Sequence, residues 1–497
     1  MATLDGCAMR RITAAVVMLT GLVGTGLAEA QDRPAFPSEL FAARRTAAMQ
    51  SLGEGVLIAI GNQMMNPEGP ARQDPTFWYL TRVESPFAIL VVVRGGDVLR
   101  EVLFVPEYYQ FAAANYPIPD RRFRTATWNR PVLRLAPDDI SRQVSGIREI
   151  YPIDQFAEKL PGLVAESEIV FVSRDGVTPY SLPGLGGIES VSAQLEESIR
   201  TALPGRSFRD ASPTLRRMRL TKGPREIAAM REATDISVEG LKEAMRRTRP
   251  GMTSMELAGI MEAVWKREGS PRTAFAPIVS AGMSAVKHYG LRRENYNPLD
   301  HIFADGELVF VDYGAAEVDH YASDVARTFP ASGTFTPEQR SYYEIVVEAE
   351  RAAIAEAKPG ARMIDLIRAA AQVFKDHGLE QYEDIGEMGP DNVWGVFPSP
   401  SFFLQSDEAI LTAQRESGLR ARDLGHHVGI VVVEPADMMM PLEPGMIFTV
   451  EPKIYSPGLR AGIMVEDMIL ITEDGHENLS AGVPVDPDEI ERLMATR

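Results

Sequence analysis

Four acids stand inside apolar runs, where acids are out of place. Asp312 lies within "LVFVDYG", Asp324 within "YASDVART", Glu451 within "MIFTVEPKIY" and Glu466 within "GIMVEDMILIT". A carboxylate in a buried strand must be ion-paired, hydrogen-bonded or bound to a cation. For any one such Asp, a salt bridge to a neighbour such as Arg327 is the simpler account. A hairpin between Asp312 and Asp324 sets two of them on one face, and that shifts the balance towards a cation, because close carboxylates raise each other's pKa unless positive charge intervenes. His426, in "LGHHVGIVVV", adds an imidazole at the mouth of another apolar run, where a lone His is ordinarily a satisfied core residue.

Together, four carboxylates and one imidazole suit two divalent cations, their four negative charges balancing four positive ones. Bridging carboxylates hold such ions ~3.5–4 Å apart. The oxygen-rich set favours manganese, with cobalt, iron or zinc as alternatives. Structural zinc on thiolates is excluded, since the only cysteine is Cys7. Water between two such ions loses its proton near neutral pH while the ions polarise a carbonyl, which makes the chemistry hydrolysis of an amide or ester.

The elements that must position these groups follow from punctuation and period. Between Val56 and about Ser207, "GVLIAIG", "FAILVVV", "VLFV" and "EIVFVS" read as buried strands separated by loops and helical stretches, an α/β domain. "TFWYL", with Trp78 and Tyr79, reads as another buried strand. The texture changes near residue 210, where Pro224 opens a helix with Ile227, Met230, Ile236, Leu241 and Met245 roughly on one face. Thr253 with Glu256, and Thr336 with Pro337 and Gln339, open two more helices. "ELVFVDYG", "HYASDVARTF", "HVGIVVVE", "MIFTVEPKIY" and "GIMVEDMILIT" read as strands in hairpin-like pairs, an α+β arrangement. His301, His320, His377 and His476 fall in polar or turn-like contexts and read as solvated or structural.

Composition bounds the rest. A chain of 497 residues with 45% hydrophobic and 24% charged residues has room for two or three packed domains. Arg10 and Arg11, an apolar stretch from Ile12 to Leu27, and Ala28-Glu29-Ala30 read as a cleavable export signal over residues 1–30, which predicts an exported protein, periplasmic or secreted. Cys7 leaves with that signal, so the mature chain has no disulfide. The net charge of −18 is unchanged by its removal, because Asp5 and Glu29 cancel Arg10 and Arg11. Such a charge repels phosphate backbones and argues against a nucleic-acid partner. No later apolar run reaches ~18 residues, so no membrane span is expected.

In order and spacing, "VFVDYG…YASDVARTF", "GHHVGI", "PGMIFTVEPKIY" and "IMVEDMILIT" resemble the metal-site motifs of the pita-bread metallopeptidases. "ELFAARRTAAM", "RQDPTFWYLTRVESPFAILVVV" and "LFVP" resemble the amino-terminal domain of aminopeptidase P, and "MRLTKGPREIAAMREA" its entry into the catalytic domain. The resemblance implies an α/β amino-terminal domain over residues 31–210 and a pita-bread catalytic domain over 211–497. It also implies a homodimer or homotetramer and an aminopeptidase acting on peptides with proline second. Asp312 is then a bidentate ligand of one metal, Asp324 and Glu466 bridge, and His426 and Glu451 complete the ligands of the second metal, with Glu451 also the proton shuttle. His288, in "SAGMSAVKHYG", matches a histidine beside the substrate, and Tyr455 follows the glutamate in the usual place.

Three positions depart from that pattern. The histidines usual four residues before and seven after the metal-binding one are Arg422 and Val433, and the arginine usual two residues before the last ligand is Met464. Val433 has no side-chain hydrogen bond to offer a peptide. Arg422 is no acid or base near neutral pH but suits an anionic group such as a substrate carboxylate. These departures also leave room for a metal hydrolase of another dipeptide, ester or organophosphate, or for a catalytically silent member. The interval from Asp312 to Asp324 is one residue longer than usual. If the extra residue sits in the turn around "AAEVDH", both acids still face inward.

Overall fold

The computed structural model describes residues 36–62, 72–106, 139–174, 180–182, 186–188, 191–291, 300–379, 395–417 and 424–496. The export signal and Arg422 lie outside the described residues.

Helix α1 (Ser38–Leu52) leads into strand β1 (Gly55–Ile60), helix α2 (Pro75–Thr81) and the hairpin of β2 (Ile89–Gly95) with β3 (Val98–Val105). Then come β4 (Glu149–Pro152), helix α3 (Phe156–Leu163), β5 (Ile169–Val172), a small hairpin of β6 (Tyr180–Leu182) with β7 (Gly186–Ile188), and β8 (Ser207–Asp210). One mixed sheet results, in the order β4-β3-β2-β1-β5-β8. Strand side chains alternate between faces. Accordingly Val56, Ile58, Val91 and Phe104 pack beneath α3, while Leu57, Ala59, Leu90 and Leu103 join the large core shared with α1 and the second half of the chain. Both faces are covered, which is why these strands are continuous apolar runs.

"TFWYL" is helix α2 and not a strand. Asp74 accepts a hydrogen bond from the Phe77 amide at 2.8 Å and Pro75 occupies the first turn, so the capping signal decides over the apolar run.

The second half opens on helices α4 (Pro224–Arg247) and α5 (Ser254–Arg267), the latter with the expected reciprocal cap of Thr253 and Glu256. Its sheet is antiparallel. Strands β9 (Ile278–Ala281), β10 (Leu308–Asp312), β13 (Ala326–Pro330), β14 (Gly395–Phe397), β16 (Lys453–Ser456) and β17 (Ala461–Ile471) run in the order β14-β16-β17-β13-β10-β9, with β15 (Ile447–Val450) and β18 (His476–Asn478) also on β17. All eleven residues of β17 are buried. Helix α6 (Gly282–Leu291) follows β9, and α7 (Pro337–Ala355), capped by Thr336 and Gln339, follows β13.

Between Asp312 and Asp324 a side hairpin, β11 (Glu317–Val318) with β12 (Tyr321–Ala322), turns through Asp319 and His320, both at positive φ. The longer interval is thus taken up in a side loop, and the ladder of β10 on β13 stays regular. That turn docks on the first domain: the His320 ring lies 4.6 Å from Trp78, and its Nε2 lies 2.8 Å from Glu84. Arg44 to Glu226 at 2.7 Å and Arg219 to Thr76 Oγ1 at 2.6 Å, all four buried, also cross between the halves.

The run "HVGIVVVE" is not a strand. It folds back, the Gly429 amide donating to the Val431 carbonyl and the Glu434 amide to the His427 carbonyl, and the buried Arg219–Glu434 pair holds it there. Hydrophobicity alone suggested a ladder; the buried glutamate selects the loop.

Candidate metal centre

Sheet register assembles the acids. Asp312 pairs with Ala326, and Ala326 with Glu466. Val450 pairs with Asp467 and Lys453 with Met464, the same register on either side, which sets Glu451 opposite Glu466. Cross-strand partners project from the same face. Asp312, Glu466 and Glu451 therefore stand in one row across the sheet, with the small Ala326 between the first two, and Asp324 enters two residues ahead of Ala326.

His426 comes from a separate segment beside β15. The His426 amide donates to Thr449 Oγ1 at 3.1 Å, the Thr449 amide returns a bond to the His426 carbonyl at 2.9 Å, and the Glu451 amide donates to the Leu424 carbonyl at 2.6 Å. Gly425 permits the approach, since a Cβ there would collide with the Thr449 carbonyl and its φ is 156°.

One ligand atom each from Asp324, His426 and Glu466 lies within 4.8 Å of the others. His426 Nε2 is 3.4 Å from Asp324 Oδ2 and 3.8 Å from Glu451 Oε1. Its Nδ1 faces the His427 carbonyl at 3.4 Å, so Nδ1–H donates there and Nε2 is left facing the acids. Asp324 Oδ1 and Glu466 Oε2 are buried and have no hydrogen-bond partner among the described residues.

The electrostatics call for cations. Burial raises the Glu466 carboxyl well above its usual range, and the Asp324, Glu451 and Asp312 carboxylates push it further. Asp324 is raised for the same reason, burial outweighing its contact with His426. Burial by itself would lower the His426 imidazole, but Asp324 and Glu451 more than offset it. Crowded acids with orphaned buried oxygens and an imidazole aimed at them fit divalent metal ions.

Arg327 is not the partner of these acids. Arg327 pairs with neither Asp312 nor Asp324; its guanidinium meets Asp467 at 2.6 Å and the Glu466 carbonyl at 2.6 Å. It thereby anchors the backbone from which Glu466 projects.

Tyr455 is buried on β16 against Phe310 and Phe397, and burial with Asp312 and Glu451 nearby raises its phenol well above the ordinary value. His288 lies on α6, whose Ala285 and Val286 pack with Met464 and Tyr455; the His288 side chain is outside the described residues. Val433 sits in the folded-back loop, half-buried. His301 meets Glu307, His377 meets Glu348 and His476 meets the Ala357 carbonyl, all structural contacts.

The sequence reading passed over Lys453. Its ammonium lies 2.5 Å from Glu451 Oε2 and its side chain is 5% exposed. A lysine inside the buried run "VEPKIY" was a usable signal, the mirror image of the misplaced acids.

The fold and the site define a metallopeptidase of the pita-bread class. Residues 228–473 match the model of metallopeptidase family M24 and residues 41–171 that of the aminopeptidase P amino-terminal domain. The chain is 32% identical over 512 residues to Xaa-Pro aminopeptidase 2 of Streptomyces coelicolor, covering 96% of each chain. It is 28% identical over 472 residues to Xaa-Pro aminopeptidase of Escherichia coli, covering 91% of this chain and 97% of that one. An aminopeptidase structure from Pseudomonas aeruginosa superposes with a TM-score of 0.71 at 26% identity, over 93% of this chain and 98% of the other. The chain belongs to the aminopeptidase P type of the M24 metallopeptidases and is a metallo-exopeptidase.

Proposed function

We propose that this protein is an exported aminopeptidase that uses two divalent ions, manganese first among them, to release the N-terminal residue of peptides with proline in second position. The observation that carries the reading is the convergence of Asp324, His426 and Glu466 within 4.8 Å. Asp312 and Glu451, in the same sheet row as Glu466, complete the set for two ions. When bound, such ions supply Lewis-acid polarisation of the scissile carbonyl and activation of water.

The chain's own groups do the rest. Glu451 is positioned at the end of the row to accept a proton from water and return it to the leaving imino nitrogen of proline. His288 and Tyr455 are the candidate substrate-binding residues, and Arg422 is the candidate for an anionic substrate group. Assembly as a homodimer or homotetramer and export to the periplasm or medium belong to the same proposal. The names of the relatives, which act on Xaa-Pro bonds, support the substrate class.

Val433 favours a second reading, the same metal hydrolase with another dipeptide, ester or organophosphate as substrate, because its side chain offers a peptide no hydrogen bond. The test is purified protein with manganese on a panel of Xaa-Pro peptides beside peptides without proline and simple esters. Release of the first residue from the Xaa-Pro set is expected; inertness towards that set with turnover of another class refutes the main reading.

A further inference from the structure

Lys453 and Met464 face each other across β16 and β17, on the sheet face that carries Glu466. Met464 is fully buried in an apolar cluster with Phe310, Tyr455, Ala285 and Val286. Lys453 is nearly as buried, yet it carries a charge into the acid row. Its ammonium meets Glu451 Oε2 at 2.5 Å, which leaves Oε1 on the His426 side, 3.8 Å from Nε2. One carboxylate is thus held between an ammonium and the imidazole of the metal centre.

We propose that Lys453 is a positioning residue: it fixes Glu451 by one oxygen so that the other is presented to the metal ions, and it supplies from β16 the resident cation that its cross-strand partner Met464 lacks. The inference rests on the metallo-aminopeptidase reading above and adds to it the group that orients one of the ligands.

The physical argument is geometric. A glutamate has three rotatable side-chain bonds, and an unheld carboxylate beside three other acids swings away from them. A hydrogen-bonded partner on the far oxygen removes that freedom before any ion arrives, and loss of such a partner typically lowers metal affinity or activity ~10–100-fold. Lys453 is suited to the part because its stem runs along a buried strand while its head reaches Glu451 Oε2.

The test uses full-length protein stripped by chelator and titrated calorimetrically with manganese chloride, with Xaa-Pro kinetics on the same samples. Lys453→Met is expected to bind manganese ~10–100-fold more weakly and to lose kcat with little change in KM. Lys453→Arg is expected to stay close to the unsubstituted protein. The double variant Lys453→Met with Met464→Arg, which moves the cation across the strand pair, is expected to regain part of the lost affinity, a rescue that a merely structural lysine does not give.

Lys453→Met binding manganese as tightly as, or more tightly than, the unsubstituted protein overturns the inference, since the ammonium is then a competitor of the ions. If Lys453→Met does not fold, Lys453→Arg decides: a tenfold loss of affinity in this folded, charge-conserving variant also counts against a simple hydrogen-bonded tether. Failure of the unsubstituted protein to take up manganese at all refutes the reading of the site itself.

Discussion

Asp324 Oδ2 lies 3.4 Å from His426 Nε2, while Asp324 Oδ1, equally buried, has no hydrogen-bond partner among the described residues. A carboxylate so placed destabilises the metal-free fold, and burial raises its pKa accordingly. Asp324→Asn should therefore stabilise the metal-free protein by about 1–3 kcal/mol in urea denaturation, while abolishing the rise in Tm that manganese gives the unsubstituted chain. A metal-free variant less stable than its parent contradicts this account of the acid cluster.

The buried pair of Arg219 and Glu434, 2.9 Å apart, ties the short helix Ser212–Leu220, which precedes α4, to the loop after His427. Arg219 also donates to Thr76 Oγ1 in the first half at 2.6 Å. Glu434→Ala strands a buried guanidinium and should cost about 3–5 kcal/mol by chemical denaturation. A loss below about 1 kcal/mol shows that solvent reaches the pair.

Behind the metal row, Glu350 is buried against Asp467, and burial together with that neighbouring acid raises its pKa well above the usual range. The sign follows from linkage: a folded-state pKa above the unfolded value means the folded state binds the extra proton, so the stabilisation is complete below pH ~4.5 and is lost as pH rises through the folded pKa. Glu350→Gln keeps a neutral donor and removes the titration. Its stability relative to the parent should therefore improve steadily as pH rises above ~4.5. Parallel stability curves for the two proteins over that range contradict the assignment.

What the sequence disclosed depended on how local the signal was. Asp312, Asp324, Glu451 and Glu466 were legible because each breaks an apolar strand pattern, and the caps of Thr253 and Thr336 because they are written within four residues. Lys453 breaks the same pattern but was hidden beside a stronger neighbour, Glu451. The folding back of "HVGIVVVE" was not legible, because its cause is Arg219, more than two hundred residues earlier. Arg327 looked like a partner for Asp312 or Asp324; strand alternation sends it to the opposite face, where Asp467 waits.

Arg422 and Val433 set the last expectation. If they are what departs from efficient Xaa-Pro cleavage, Arg422→His with Val433→His should raise kcat/KM on an Xaa-Pro peptide by about 10²–10⁴-fold, the usual contribution of a positioned acid or base. An unchanged substrate profile in steady-state assays assigns specificity elsewhere in the cleft.

The most direct measurement is manganese content and Xaa-Pro hydrolysis followed together on one chelator-treated sample as metal is restored, beside Asp324→Ala treated identically. Activity should be absent without metal, rise in step with uptake in the unsubstituted chain, and stay absent in Asp324→Ala, which should take up little or none. Hydrolysis persisting in the metal-free protein, or full manganese uptake by Asp324→Ala, contradicts a catalytic centre built on Asp312, Asp324, His426, Glu451 and Glu466.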